Sequence, residues 1–236
     1  MNMKKLVLLL TALVILATLT ACGGNNSNDG ALGNNQTPDN AVPPNTDITD
    51  KFTDPAFLAC VREEVGKNEG ESILASDVKD ISFLNVSEKD ISSLNGIEFL
   101  VSLRHLDCVR NKLTELDVSK NIALTALFCD MNQLTALDVS KNVKLEALAF
   151  EGNQLTEIDL TNNTALEHIY CIGNQLTQLD LSKNTALKTI RLRKNQLKKL
   201  DVSNNIELKE LDCIDTPLTK ENITGLDEAR TTLRIN

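Results

Sequence analysis

The side chains of this chain that are suited to polar chemistry are few. It has two histidines, His105 and His168, a single tyrosine, Tyr170, and no tryptophan. The histidines stand three periods apart on a 21-residue repeat. If each period is one rung of a stack, their rings are roughly 14 Å apart. Acid–base or nucleophilic catalysis needs groups that converge in a pocket that excludes water. Neither histidine has a serine or cysteine nucleophile placed beside it. No catalytic residue is assigned, and the chain reads as a non-enzyme. Recognition is the chemistry left. His105, Asp107, Phe128, Asp130, Glu151, His168, Tyr170, Arg191 and Arg193 occupy positions that vary while their neighbours repeat. Aromatic rings and arginines on an open face are the usual energetic anchors of an interface.

The elements that position these residues follow from the repeat. Asparagines recur at 111, 132, 153, 174 and 195, and again at 121, 142, 163, 184 and 205. Aspartates at 117, 138, 159, 180 and 201 keep the same step. A fixed period of this length means a solenoid, which grows by stacking units rather than by enlarging one core. Strict units begin at Leu103, Leu124, Leu145, Leu166, Leu187 and Leu208, after an irregular unit running from Ile81 to Leu100. Each but the last, which breaks down at Thr216-Pro217 where Asn is expected, contains L-x-x-L-x-L-x-x-N twice, as in Leu103-x-x-Leu106-x-Cys108-x-x-Asn111 and Leu113-x-x-Leu116-x-Val118-x-x-Asn121. That phrase is the leucine-rich repeat signature. Its doubled form resembles the irregular 21-residue class of bacterial leucine-rich repeats. The irregular unit, with Ile91-Ser-Ser-Leu94-Asn-Gly96-Ile97-Glu, resembles the internalin type.

The alternation Leu106-x-Cys108 marks a strand with those two side chains in the core. The expected fold is therefore a leucine-rich repeat solenoid. It has a parallel β-sheet on the concave face, short extended or 3-10 segments on the convex side, and a small helical N-terminal cap. The intervening residues face outward in three columns. The first holds His105, Ala126, Ala147, His168, Thr189 and Glu210. The second holds Asp107, Phe128, Ala149, Tyr170, Arg191 and Asp212. The third holds Val109, Asp130, Glu151, Ile172, Arg193 and Ile214. The alanines are expected to form a shallow floor beside Phe128 and Tyr170. The repeated Asn, Asp and Ser residues are read as scaffold that bonds backbone groups at turns.

Six cysteines occur, at 22, 60, 108, 129, 171 and 213, with no C-x-x-C spacing, so neither a zinc ribbon nor a redox pair is indicated. Four share a column with Phe150 and Leu192, which marks an apolar interior position. Buried free thiols are expected there. A bridge between Cys60 and Cys108 is the alternative, because an exported chain allows disulfides.

Residues 1–21 read as a signal peptide, with Lys4 and Lys5 before an apolar run from Leu6 to Leu19. Leu19-Thr20-Ala21-Cys22 resembles the bacterial lipobox, which implies lipidation of Cys22 and a membrane anchor. Gly23 rather than Asp follows, which by the same resemblance favours the outer membrane where the host has two membranes. Residues 22–50 are expected to be a disordered tether, being rich in Gly, Asn, Pro and Asp. Residues 51–80 read as the N-terminal cap, with Asp54-Pro55 starting a helix and Gly66 ending it. This stretch resembles the cap of internalin-like proteins. In some relatives an Asp/Asn-rich loop reminiscent of a calcium site follows. Lys67-Asn-Glu-Gly-Glu71 lacks the alternating carboxylates such a site needs, so no metal is assigned. Repeats fill 81–216 and a C-terminal cap 217–236, with Thr231 to Ile235 as a final edge strand.

The net charge is −9, and −11 without residues 1–21, whose only charges are Lys4 and Lys5. An acidic chain repels phosphate backbones, so nucleic acid is not an expected partner. No cofactor is expected. The reading is an exported surface or envelope lipoprotein that binds a protein, or a glycan, through its concave face. The resemblance suggests adhesion or cell interaction. The alternative is an envelope protein that spaces other components and has no specific receptor.

Overall fold

The computed structural model describes residues 42–236. The signal peptide, Cys22 and most of the tether lie outside these residues. The chain forms an eight-stranded parallel sheet, one strand per rung. In sheet order these are β1 (Phe83–Asn85), β2 (His105–Asp107), β3 (Ala126–Phe128), β4 (Ala147–Ala149), β5 (His168–Tyr170), β6 (Thr189–Arg191), β8 (Glu210–Asp212) and β10 (Thr232–Arg234). Two further short strands, β7 (Leu200–Asp201) and β9 (Ile223–Thr224), pair with each other. Register follows the sequence period, so His105 faces Ala126, Ala126 faces Ala147 and Ala147 faces His168. β10 is the edge strand expected from the C-terminal stretch.

The fold is the expected parallel-sheet solenoid with few helices. The leucines of each phrase are buried, as are the four column cysteines with Phe150 and Leu192. All five cysteines among the described residues are free, so Cys60 and Cys108 are not bridged. Each column thiol donates to the carbonyl of the next rung: Cys108 Sγ to Phe128 O and Cys129 Sγ to Ala149 O, both at 3.4 Å. A thiol thus serves as a small core side chain with one weak donor.

The asparagines are brackets between rungs. Asn132 Nδ2 donates to Cys108 O and Cys129 O, each at 3.0 Å, and its Oδ1 accepts from Leu113 N at 3.0 Å. In the second column Asn142 Nδ2 donates to Val118 O and Asn121 O, but its Oδ1 has no partner. The aspartate column is local: Asp117 and Asp138 each accept from the backbone N–H two residues on, at 2.8 Å. These bonds satisfy turn amides, so the row of carboxylates is scaffold. They also hold the Asp117 and Asp138 carboxyls below their ordinary range.

The first layer of the stack is closed by α1 (Pro55–Val65) and α2 (Ala75–Val78). Asp54 caps α1, its Oδ1 accepting from Ala56 N at 2.9 Å and Phe57 N at 3.1 Å. Its Oδ2 accepts from Ser92 N and Ser92 Oγ, both at 2.8 Å, tying the cap to the first unit. Gly66 ends the helix at φ +67°. The folded body starts earlier than residue 51. Ile48 is buried, and its N–H bonds Ile73 O at 2.8 Å, so the tether expected to run to residue 50 is ordered before its end. An isoleucine that seats in the cap brings its neighbours into the fold with it. In the stretch after the helix, which lacks the carboxylates of a calcium loop, cations of the chain itself take the acceptors. Arg62 Nη1 donates to Asn68 O at 2.6 Å, and Lys67 Nζ donates to Ser72 O at 2.6 Å and pairs with Asp77.

Candidate binding face

The sheet presents the three predicted columns on one side, as their two-residue alternation requires. They are not uniformly wet. On β2, β3 and β4 all three residues of each strand are buried, whereas on β5 and β6 the flanking residues are half-exposed. Ala126, Ala147 and Ala149 are only 2%, 0% and 5% exposed, so the open alanine floor expected from the sequence does not exist. Rungs lie about 4.8 Å apart, less than the reach of a Phe, Tyr or His side chain, so large residues on neighbouring rungs close over a methyl group. Phe128, expected to be wet, is buried for the same reason, at 7% exposure.

The rings form two groups. At the N-terminal end Phe83 stacks on His105 with ring centroids 4.8 Å apart, and His105 meets Phe128 edge-on at 5.1 Å. Phe83 is 45% exposed and is the one ring here that sequence reasoning missed. It pairs with His105 at a step of 22 rather than 21 residues, so the strict period passes it by. Its signal was the alternation Phe83-Leu84-Asn85 with Leu84 inward. At the other end His168 and Tyr170 lie parallel at 6.3 Å, and the Arg191 guanidinium sits 5.3 Å from the Tyr170 ring centre. Burial lowers the affinity of both imidazoles for protons, against the pull of Asp107 on His105 and of Glu167 on His168.

Charge divides the face. Arg191 holds Glu210 through two bonds of 3.1 and 3.3 Å, and Arg193 lies 3.8 Å from Asp212. Arg234 approaches the other Asp212 oxygen at 4.0 Å. The arginines expected as free anchors are therefore already paired within the chain. Asp107, Asp130 and Glu151 have no cation within 4.0 Å among the described residues. Asp107 accepts from Ser87 Oγ and from Val109 N at 3.2 Å. Asp130 Oδ1 accepts from Glu151 N at 2.6 Å. Burial, with the adjacent Glu151 carboxylate, pushes Asp130 up to about 8, and burial also raises Glu151.

Nothing on this face converges as a catalytic set. His105 and His168 stand on β2 and β5 with two strands between them, and the nearby thiols of Cys108 and Cys171 are buried beneath the sheet with proton affinities raised by that burial.

No family model matches the sequence, and no curated protein matches it. Solved structures do. The functional domain of InlJ from Listeria monocytogenes, described as including a cysteine ladder, is 30% identical with a TM-score of 0.75. The match covers 83% of this chain and 45% of that one. Internalin C2 from the same organism is 20% identical, with a TM-score of 0.61 over 84% of this chain and all of that one. Its internalin InlF is 19% identical, with a TM-score of 0.64 over 82% and 65%. The chain thus spans less than half the length of the InlJ domain it matches. The thiol column of this chain holds Cys108, Cys129, Cys171 and Cys213 and is interrupted by Phe150 and Leu192. The structural neighbours of this chain are bacterial internalin-type leucine-rich repeat proteins, and the chain folds as the same kind of solenoid, with turns of about 21 residues.

Proposed function

We propose that this chain is a bacterial surface or envelope lipoprotein, anchored through Cys22, whose concave sheet binds a protein partner in adhesion or cell contact. The observation that carries the reading is the half-exposed cluster of His168, Tyr170, Arg191 and Arg193 beside Asp130 and Glu151, next to strands β2, β3 and β4, whose residues are all buried. Tyr170 is held from one side by Arg191, which Glu210 fixes in turn, so the ring is pre-positioned at little entropic cost on binding. Likeness to internalins supports a protein ligand, and the lipobox resemblance supports the anchor.

Affinity capture with the full chain, compared with Tyr170→Ala/Arg191→Ala, tests the reading. Loss of the captured partner with the fold retained is expected. Unchanged capture by the double variant would overturn it and favour an envelope spacer that uses another surface. Labelling with radioactive palmitate tests the anchor: Cys22→Ser abolishes incorporation if Cys22 carries the lipid.

A further inference from the structure

The concave face is balanced at one end and unbalanced at the other. Toward the C-terminus Glu210 and Asp212 have arginine partners. Toward the N-terminus Asp107, Asp130 and Glu151 follow one another on three successive rungs with no cation within reach among the described residues. Their charges act on one another: Glu151 and Asp107 both raise Asp130, and Asp107 acts on His105. Asp107 is 4% exposed, and each carboxylate receives at most two protein donors, all on one oxygen. His105, 8% exposed, holds Nε2 buried with no hydrogen-bond partner. A neutral imidazole offers an acceptor nitrogen. The strip therefore presents acceptors with no cation beside them, and a carboxyl, Asp130, that holds a proton for want of a counter-charge. Burying such groups without a counter-charge is costly, and a partner that supplies the counter-charge recovers part of that cost.

We infer that Asp107, Asp130 and Glu151, with His105 beside them, take an arginine or lysine side chain of the partner protein. The inference rests on the concave-face reading above and names the chemistry of its ligand. A guanidinium or ammonium brings several donors and a positive charge, which is what the strip lacks. The occupant's apolar stem has the exposed ring of Phe83 to lie against. The whole chain's negative charge draws a basic segment toward it. Three groups act on the strip's titration: Asp107, Glu151, and Arg191 through its field on Glu151. Because Asp130 keeps its proton up to about pH 8, a bound cation displaces that proton, and binding tightens as pH rises toward and through 8.

The chain's two histidines give a direct readout. The full chain is titrated with N-acetyl-Gly-Arg-Gly-amide while the imidazole proton signals of His105 and His168 are followed by NMR. The expected result is a saturable shift of His105, absent with the Gly-Glu-Gly peptide. It should tighten by up to about tenfold per pH unit between 6 and 8 for the one proton released. Glu151→Gln should weaken it roughly tenfold, the worth of one charge-assisted bond. An unchanged His168 signal reports that the variant is folded. No saturable shift with either the arginine or a lysine peptide overturns the inference. So does an equal shift with the glutamate peptide, or the same shift with calcium chloride alone, which would make this a metal site. If Glu151→Gln leaves partner capture intact while Tyr170→Ala/Arg191→Ala abolishes it, the concave face binds but this strip is not where the cation goes.

Discussion

Asn132 and Asn142 look alike in the sequence, each one of five in a ladder, yet the structure gives them different jobs. Replacing Asn132 with alanine removes donated bonds to Cys108 O and Cys129 O, a longer one of 3.3 Å to Asp130 O, and the acceptor of Leu113 N–H. All three carbonyls keep another donor, because Asn111 Nδ2 still bonds Cys108 O and Asn153 Nδ2 still bonds Cys129 O, both at 3.0 Å, and Arg110 N still bonds Asp130 O at 2.9 Å. The Leu113 N–H keeps none. Asn142→Ala removes two donated bonds. Its carbonyls likewise keep partners, since Val118 O accepts from Asn121 N and Asn121 O from Leu124 N, both at 3.0 Å. It strands no amide, and it removes an Oδ1 that is buried without a partner. The bonds lost are similar, so the difference is the stranded amide, about 1–3 kcal/mol. Asn132→Ala should therefore be the more destabilising by that amount. Asn132→Asp should be worse still at neutral pH, because a buried carboxylate then faces three carbonyl oxygens. Urea unfolding of the three variants gives the stabilities, compared at equal slope because solenoids unfold in parts. Hydrogen exchange at the Leu113 amide gives the local readout. Equal destabilisation by the two alanine variants, or a Leu113 amide as protected in Asn132→Ala as in the parent, would refute the reasoning.

Asp130 predicts a pH dependence of stability. Its folded value, about 8, lies above the unfolded value of roughly 3.9, so the folded state holds a proton that the unfolded state has lost between those limits. Stability should fall as pH rises from 5 to 8, by at most about 1.4 kcal/mol per unit, and Asp130→Asn should flatten the profile; parallel profiles in urea would contradict this. The column thiols should resist iodoacetamide at pH 8, because burial raises them, while half-buried Cys60 reacts first; mass spectrometry of native and unfolded protein distinguishes the two classes. Gly96→Ala should destabilise the cap, because a Cβ there would sit 2.5 Å from the Phe52 ring and the backbone is at φ +102°; calorimetry should show a lower Tm. Asp54→Ala should cost about 2 kcal/mol or more, since it removes a helix cap and the link to Ser92 together.

The sequence by itself determined the architecture. A core position recurring every 21 residues admits one arrangement, a stack in register, and the Leu106-x-Cys108 alternation fixes which side chains turn inward. It also marked Asp54, Pro55 and Gly66 as the limits of the cap helix, because capping depends on local backbone chemistry. What lies across rungs was not legible. Whether Ala147 is open depends on the reach of side chains one rung away in space and 21 residues away in sequence. Whether Arg191 is a free anchor depends on Glu210, 19 residues later on the next rung, lying within bonding distance. Phe83 joined the face through a pairing step one residue longer than the period. The proton affinity of Asp130 rises with its burial and with the charges of Glu151 and Asp107, one on each neighbouring rung. Periodicity reports what every rung must do alike, whereas the binding face is made of what neighbouring rungs do differently, and only their packing decides that.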